Sequence, residues 1–346
     1  MTIFFNTFFK VLGTLLALAT FIGILSAFLA FFEGNSSLSD FRLIEGDKTS
    51  KNKIAIIKLY GPIIDQKISF NSISGIQTIN PDNFKIKLKK LDQINPNVLI
   101  ISINSPGGTV SASYEMYRLL NNYIKQSNNL DVYFHTNETL ASGAYWFALA
   151  SDKIYASYGS LIGSIGVKGP DWIYYDEPIA ISSGIFSNSI ETKKGIKVYS
   201  QNAGKSKDIL NPFRKPTVEE LSKLNKMIED IYRDFVLTVS KKRKIEINII
   251  KNQIGALIYN SSGAKENYLI NDVVDFDSLI KKIIKDKQYL NYQIYENTDQ
   301  NLSLLNKYFF NLFENKNDIN ASSKDVICNQ FITNISSITN SYILNC

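Results

Sequence analysis

The sequence predicts an α/β fold built on a substantially parallel sheet. Short apolar runs at Lys53–Tyr60, Val98–Ile103 and Asp131–Thr136 have the length of buried strands, and turn residues close the first two. Helical spacing of apolar residues lies between them, around Phe84–Leu91 and from Val110 to Ile124. Because strand and helix alternate, the strands are expected to run parallel, with functional groups at their carboxyl ends.

The N-terminus is predicted to be a membrane anchor. The run Val11–Phe32 carries no charge and is bounded by Lys10 and Glu33, and its roughly 22 residues would span about 33 Å as a helix. Phe31 and Phe32 offer no small-x-small cleavage site, so the anchor is expected to be retained. Lysine and arginine residues flank the run on both sides, so charge alone does not set its orientation.

The predicted domain limits follow the composition. We expect an anchor at 1–33, a polar linker at 34–52, a catalytic domain at 53–285 and an Asn/Ser-rich extension at 286–346. Inside the catalytic domain, Thr217-Val218-Glu219-Glu220 is a capping-box pattern that opens a long amphipathic helix. An apolar patch at 302–313 lies in the extension.

Composition argues against several classes of protein. The 346 residues hold 38 Lys and Arg against 32 Asp and Glu, a formal charge of +6, and the densest basic run, 241–244, ends a predicted helix, so no nucleic-acid partner is expected. The two cysteines, Cys328 and Cys346, lie near the end of the chain, as a disulfide or as two free thiols. Neither lies near paired metal ligands, so no metal or cofactor is predicted.

Ser142 is the predicted nucleophile of a serine hydrolase, because Ser142-Gly143 lies between a strand and a helical run. The chain has one histidine, His135, and a lone histidine on a strand is more often structural than part of a Ser-His-Asp triad. A Ser-Lys dyad with Lys207 is the economical alternative. Its lysine must be neutral, which requires burial or nearby positive charge, so Lys207 is expected to be buried near Ser142.

The turn Ser105-Pro106-Gly107-Gly108 also lies between a strand and a helix. Its glycines can expose backbone N–H groups to a reacting carbonyl, although a structural turn is the commoner role of such a sequence. Together, the N–H groups of Gly108 and Gly143 are predicted to form a two-donor oxyanion hole, each donor being worth roughly 3 kcal/mol in the transition state.

These motifs, in this order, resemble the signal peptide peptidase A (SppA) family. The resemblance covers about Lys53 to Lys285 and rests on seven segments: 103–108, 141–145, 151–156, 163–167, 207–209, 212–214 and 263–266. The sequence departs from the usual pattern in three places. Ala144 replaces a second Gly after the nucleophile, Ser206 stands where an aromatic residue or a histidine often precedes the lysine, and 267–271 lacks the usual Gly-Leu-Val-Asp. Lys205 lies two residues from Lys207 and is the alternative base.

The resemblance implies a Clp protease/crotonase-like spiral fold of ββα repeats and a membrane-bound serine endopeptidase that cleaves residual signal peptides and other membrane-associated peptides. It assigns Ser142 as nucleophile, Lys207 as general base, and Gly108 and Gly143 as oxyanion donors. It also implies a homo-oligomeric ring or dome, an octamer for single-domain members, in which the lysine reaches the serine of a neighbouring domain. The catalytic domain would lie outside the cytoplasm, on the bacterial inner (cytoplasmic) membrane.

Substrate contacts are predicted at Gly107 and at Gly163, Ser164, Ile165 and Gly166. An extended peptide is expected to pair with an edge strand at 163–167. Two other classes stay open. A crotonase-like acyl-thioester enzyme would use the same amides without Ser142 or Lys207, and a catalytically silent membrane scaffold of the same fold would leave Lys207 exposed and charged.

Overall fold

A computed structural model describes residues 2–33, 40–65, 77–127, 129–174 and 201–298. The predicted tail cysteines, the patch at 302–313 and most of the C-terminal extension lie outside the described residues. The helices are α1 (Thr2–Glu33), α2 (Pro81–Ile94), α3 (Val110–Gln126), α4 (Gly143–Ala148), α5 (Val218–Arg243), α6 (Ile247–Ile249), which continues as a π-helical turn to Ile254, α7 (Ser261–Glu266) and α8 (Phe276–Asp286).

The strands form two sheets. They are β1 (Asp40–Gly46), β2 (Lys53–Tyr60), β3 (Val98–Asn104), β4 (Asp131–Thr136), β5 (Thr139–Ala141), β6 (Ile154–Ala156), β7 (Leu161–Gly163), β8 (Ile258–Asn260), β9 (Asp272–Val273) and β10 (Gln293–Thr298). The large sheet has the order β1-β10-β2-β3-β4-β6-β9 and is parallel except for β1. The small sheet has the order β5-β7-β8, with β8 antiparallel. The predicted α/β fold is confirmed.

Along the chain, successive strands join the large sheet and the small sheet in alternation. In β4–β5 and again in β6–β7, the first strand joins the large sheet and the second joins the small one, so the chain winds in repeated units. Within the described residues, β5 and β7 are parallel neighbours, as are β4 and β6. This winding brings the carboxyl ends of β3, β5 and β7 together.

Apolar side chains cover both faces of the large sheet. Residues of β3 from Val98 to Ile103 are all buried, as expected for a central parallel strand. Ala55 and Ile57 on β2 pack with the layer that holds α2 to α5, whereas Ile54 and Ile56 face α8. The alternation places α8 on the opposite face from the helix that follows Ser142.

Two strands lie outside the predicted limits of the catalytic domain. We predicted a linker to residue 52 and an extension from residue 286, but β1 and β10 extend the large sheet beyond β2. Both strands mix polar with apolar residues, and β1 lies at the sheet edge, where one side of a strand stays solvated. For this reason, the composition of these two segments did not distinguish them from a linker and an extension.

Helix α1 contains the predicted anchor. The described side chains in its first part, among them Phe9, Leu15 and Phe21, are exposed, whereas those of residues 25–33 are not described. Among the residues described, no helix is long and apolar enough to cross a membrane. The membrane anchor therefore stays a prediction.

Candidate active site

The turn after β3 is tied down by backbone hydrogen bonds from two directions. Gly107 has φ +102°, a conformation that favours glycine, and its N–H donates to Ser105 Oγ at 3.1 Å. Ile63 N–H donates to the carbonyl of Gly107 at 2.8 Å, and Thr109 N–H donates to the carbonyl of Ile63 at 3.0 Å. These bonds use the groups on either side of Gly108 but leave its own N–H without an acceptor among the described residues.

Ser142 occupies a strained corner between β5 and α4. Its backbone has φ +52° and ψ −126°, a conformation that is costly for a residue with a Cβ atom. The neighbouring strand holds it there, because Ser142 N–H donates to the carbonyl of Gly163 at 2.9 Å and its own carbonyl accepts from Trp146 N–H at 3.0 Å. The half-buried hydroxyl makes no hydrogen bond to a described residue. A strained strand-to-helix corner is how many hydrolases expose a nucleophilic serine.

The two glycine motifs touch each other. A methyl group placed on Gly107 would lie 2.8 Å from Gly143 N and 2.9 Å from Ser142 Cβ, so the turn packs directly on the serine corner. A methyl group on Gly143 would lie 3.5 Å from Gly108 N. Like Gly108, Gly143 has an N–H without an acceptor in the described part of the chain. Two open backbone donors therefore lie beside one serine, which is the arrangement that stabilises an oxyanion.

Sequence reasoning missed Ser113, which lies behind this site on α3. It is fully buried, and its hydroxyl has no hydrogen-bond partner among the described residues. A methyl group on Gly143 would lie 2.1 Å from Ser113 Oγ and 2.8 Å from Ser113 Cβ. The peptide of Gly143 is therefore confined between Ser113 and the Gly107–Gly108 turn. The helical spacing of residues from Val110 to Ser113 did not predict that Ser113 would contact Gly143.

Lys207 lies in an exposed loop before α5. Its side chain is exposed and forms no hydrogen bond or ion pair with the described residues, Ser142 included. We expected Lys207 to be buried near Ser142, and the described residues of its own chain do not supply that burial. The physical reason is local: the loop 204–210 is held by turn hydrogen bonds rather than by pairing with a strand at the site.

Lys205, the alternative base, has a different environment. Its ammonium forms an ion pair with Glu219 at the first turn of α5. The hydrogen bond to Glu219 raises the pKa of Lys205, which is the wrong direction for a group that must be neutral to accept a proton. The structure therefore favours Lys207 over Lys205 as the candidate base.

His135 is a structural residue in this fold. It is fully buried on β4, where its Nε2 lies 2.9 Å from the carbonyl oxygen of Val274 and its ring packs against Phe276. Burial lowers the pKa of His135, and its Nδ1 atom has no partner among the described residues. Nε2 is paired with this backbone carbonyl and Nδ1 makes no hydrogen bond to Ser142, so the structure does not place the histidine as its base.

The predicted substrate segment, 163–167, lies next to Ser142, but it does not start on an edge strand of a sheet. Strand β7 is the middle strand of the small sheet, so the edge pairing predicted at Gly163 is wrong. Ser164 N–H also donates to the carbonyl of Leu257 at 2.8 Å, and a methyl group on Gly166 would lie 2.7 Å from Ala256 Cβ. Ile165 is buried. The two-sided pairing arises because β8, a strand of only three residues that the sequence did not predict, covers the outer side of β7.

The fold and the site define a class. An α/β domain that presents a strained serine beside two open backbone N–H groups has the features of an acyl-transfer enzyme. Residues 124–289 match Peptidase family S49. This region of the chain is therefore similar to Peptidase family S49, and the match supports a protease.

Relatives carry names that agree with this family. A protein of Enterococcus faecium named signal peptide peptidase SppA is 25% identical over 301 residues, which are 87% of this chain and 82% of that protein. Protease 4 of Salmonella typhi is 28% identical over 229 residues, 66% of this chain. The chain spans 34% of the length of Protease 4.

Among solved structures, the chain superposes on a variant of the 1510-N membrane-bound stomatin-specific protease with a TM-score of 0.41 and 17% identity, over 67% of this chain and 85% of that one. It superposes on a ClpP1 variant of Listeria monocytogenes with a TM-score of 0.40 and 14% identity, over 65% of this chain and 94% of that one.

Proposed function

We propose that the protein is a serine endopeptidase in which Ser142 is the nucleophile and Lys207 the general base. The observation that carries the proposal is the strained Ser142 corner, packed against Gly107 and flanked by the open N–H groups of Gly108 and Gly143. The combination of φ +52° and ψ −126° at Ser142 lies outside the regions that a residue with a Cβ atom ordinarily adopts, and strain of this kind costs on the order of 1–3 kcal/mol and clusters at active sites.

The reaction follows from these groups. Ser142 Oγ attacks the carbonyl carbon of a peptide bond while Lys207 Nζ accepts the hydroxyl proton. The N–H groups of Gly108 and Gly143 donate to the oxygen that becomes negative in the tetrahedral intermediate. The C–N bond then breaks, the lysine returns its proton to the leaving amine, and the ester formed on Ser142 is hydrolysed by water through the same steps.

This mechanism requires Lys207, which is exposed in the single chain, to become buried. A lysine in water holds its proton near neutral pH, because its ordinary pKa is about 10.4. We propose that a second copy of the chain buries Lys207 and that the active enzyme is a homo-oligomer in which this lysine meets the serine of a neighbouring copy. The exposure of Lys207 in one chain, together with its freedom from the described acidic groups, supports this arrangement.

We propose a membrane location, with peptides that remain in or at the membrane as substrates. The uncharged run Val11–Phe32 supports this, since an apolar helix surface is stable in lipid and costly in water. Residual signal peptides are apolar and fit an enzyme anchored beside them. A catalytic domain on the outer side of the cytoplasmic membrane would meet them where they are released.

The function is tested by cleavage of an apolar fluorogenic peptide by the detergent-solubilised full chain. We expect hydrolysis by the wild type, with losses of at least about 10³-fold in Ser142→Ala and Lys207→Ala. Lys205→Ala is the matched control, because it removes a lysine two residues away that is already paired with Glu219, and it should retain the wild-type kcat.

One observation favours a second candidate, a catalytically silent scaffold: Lys207 is exposed in the single chain. The same experiment separates the two. An assembled wild type that cleaves no peptide and does not react with a serine-directed probe would support the scaffold. Hydrolysis that depends on both Ser142 and Lys207 would exclude it.

A further inference from the structure

The loop that carries Lys207 has little secondary structure of its own. Between residues 204 and 214, it is held by single-turn hydrogen bonds, such as Ile209 N–H to the carbonyl of Ser206 at 3.1 Å. Such turns fix a backbone only loosely. A general base must reach its partner to within hydrogen-bonding distance, so another contact has to set the position of this loop.

Arg214 provides that contact through two forked ion pairs. Its Nε and Nη2 atoms donate to the two carboxylate oxygens of Asp208 at 2.6 and 2.8 Å. Its Nη2 and Nη1 atoms donate to the two carboxylate oxygens of Glu220 at 2.7 and 3.0 Å. Asp208 is the residue next to Lys207, and Glu220 lies in the first turn of α5. One guanidinium therefore joins the lysine loop to a helix.

Glu220 is a rigid attachment point. It is 4% exposed, and its carboxylate also accepts the N–H of Thr217 at 2.9 Å in a capping box that starts α5. The Arg214 guanidinium, the Thr217 N–H and the Ser206 hydroxyl hold the pKa of Glu220 far below its usual range, so the carboxylate stays charged. Asp208, which follows Lys207 in the sequence, is thus joined to this carboxylate through Arg214.

Trp172 holds the same loop from another part of the chain. Its indole N–H donates to the carbonyls of Asn211 at 3.1 Å and Arg214 at 3.3 Å. The indole ring also lies against the guanidinium, with Arg214 Cζ 5.1 Å from the ring centroid. A planar guanidinium can stack on a ring and bind two carboxylates at once, which a lysine ammonium cannot do.

We propose that Arg214 is the positioning residue for the general base: by binding Asp208 and Glu220 together, it sets the place of Lys207. This inference rests on the proposed function of Lys207. A variant without the forked ion pairs of Arg214 still contains Lys207, but the loop that carries Lys207 is no longer held in position. A misplaced catalytic group of this kind costs roughly 10²-fold in rate.

The test measures peptide hydrolysis by Arg214→Gln and Arg214→Lys in the full chain. We expect kcat to fall by roughly 10- to 100-fold in Arg214→Gln. Arg214→Lys should fall similarly, because lysine keeps the charge but not the fork. KM should stay within about twofold of the wild-type value, since Arg214 acts through the base rather than on the substrate. A wild-type kcat in both variants would overturn the proposal.

A double-mutant comparison separates positioning of Lys207 from a general effect on the fold. The rate of phosphonylation of Ser142 by a fluorophosphonate is measured in Lys207→Ala with and without Arg214→Gln. We expect Arg214→Gln to have no further effect there, because the residue through which it acts is already absent. An equal fold-loss in both backgrounds would overturn the proposal. A wild-type rate in Lys207→Ala alone would instead refute Lys207 as the base.

Two further variants keep the test decisive. If Arg214→Gln does not fold, Asp208→Asn replaces it, because it removes the charge next to Lys207 and leaves the Arg214–Glu220 pair intact; the same dependence on Lys207 is expected. Arg233→Gln is the matched control on α5. Its exposed pair with Asp230, at 3.0 Å, touches neither Lys207 nor its loop, and kcat should be unchanged.

Discussion

Substitution of Gly143 by alanine should disable the site through a steric clash that a second substitution can relieve. The added methyl group would lie 2.1 Å from Ser113 Oγ and 2.8 Å from Ser113 Cβ, whereas ordinary contacts are 3.4 Å or more. The Gly143 peptide must therefore shift by more than about 1 Å, and overpacking of this kind costs roughly 1–3 kcal/mol. Because this peptide carries a proposed oxyanion donor, we expect a rate loss of roughly 10²- to 10³-fold.

Ser113 offers a graded rescue. In Gly143→Ala/Ser113→Ala, the clash with Oγ is gone, but the contact with Cβ at 2.8 Å remains. In Gly143→Ala/Ser113→Gly, both are gone, and the next neighbour is Gly108 N at 3.5 Å, an ordinary contact. We expect the fluorophosphonate labelling rate to rise in that order. Ser113→Gly alone is the control, with a helix-interior cost of about 1 kcal/mol in stability.

The outcome that would refute this reasoning is specific. Equal labelling by Gly143→Ala and the wild type would show that the Gly143 peptide is not confined, or that its N–H is not a donor in the reaction. A loss in Gly143→Ala that Ser113→Gly does not relieve at all would show that Ser113 is not the obstacle. Thermal unfolding of each variant separates a misplaced donor from a protein that no longer folds.

Three further predictions concern stability. Asn104→Ala should lower the free energy of unfolding by about 1–3 kcal/mol, because Asn104 Oδ1 accepts from Thr136 Oγ1 and from two backbone N–H groups of the loop before β5. Tyr145→Phe should cost a similar amount, since its buried hydroxyl donates to the carbonyl of Leu269 at 2.8 Å. His135 should make stability fall as the pH drops below about 6.5, because burial lowers its pKa in the folded state while the unfolded chain takes up a proton.

Each of these has its own check by chemical denaturation. Asn104→Asp keeps an acceptor oxygen and should lose less stability than Asn104→Ala; an equal loss would argue against the acceptor role. Tyr158→Phe removes a hydroxyl from an 89% exposed side chain and should be neutral. His135→Gln should flatten the fall in stability between pH 6.5 and lower pH, and an unchanged slope would assign that fall to other groups.

The sequence predicted the parts of the site that depend on local order along the chain. Gly108 lies between β3 and α3, Ser142 and Gly143 lie where β5 meets α4, and the structure places the two turns in contact. The roles of these residues stay predictions. Contacts between distant segments gave no such signal: Ser113 is one polar residue in an amphipathic helix, and its burial against Gly143 depends on how α3 packs on α4.

The strands that extend the large sheet beyond β2 were also not predictable from the local sequence. β1, at the edge of the large sheet, and β10, which lies between β1 and β2, carry Arg42, Glu45 and Glu296, and strands that mix charged with apolar residues have no continuous apolar run that would predict them. The small sheet gave a similar error, because β7 and β8 are three residues each. The exposure of Lys207 in the single chain was not predicted either, since it depends on how the loop 204–210 folds and not on the spacing of residues along the chain.

The most direct test of the central claim is the site at which a fluorophosphonate modifies the assembled, detergent-solubilised protein. Peptide mapping by mass spectrometry should place a single phosphonyl adduct on Ser142, and the adduct should disappear in Ser142→Ala and fall sharply in Lys207→Ala. An assembled wild type that carries no adduct on Ser142, or carries it equally in Lys207→Ala, would contradict a serine activated by this lysine.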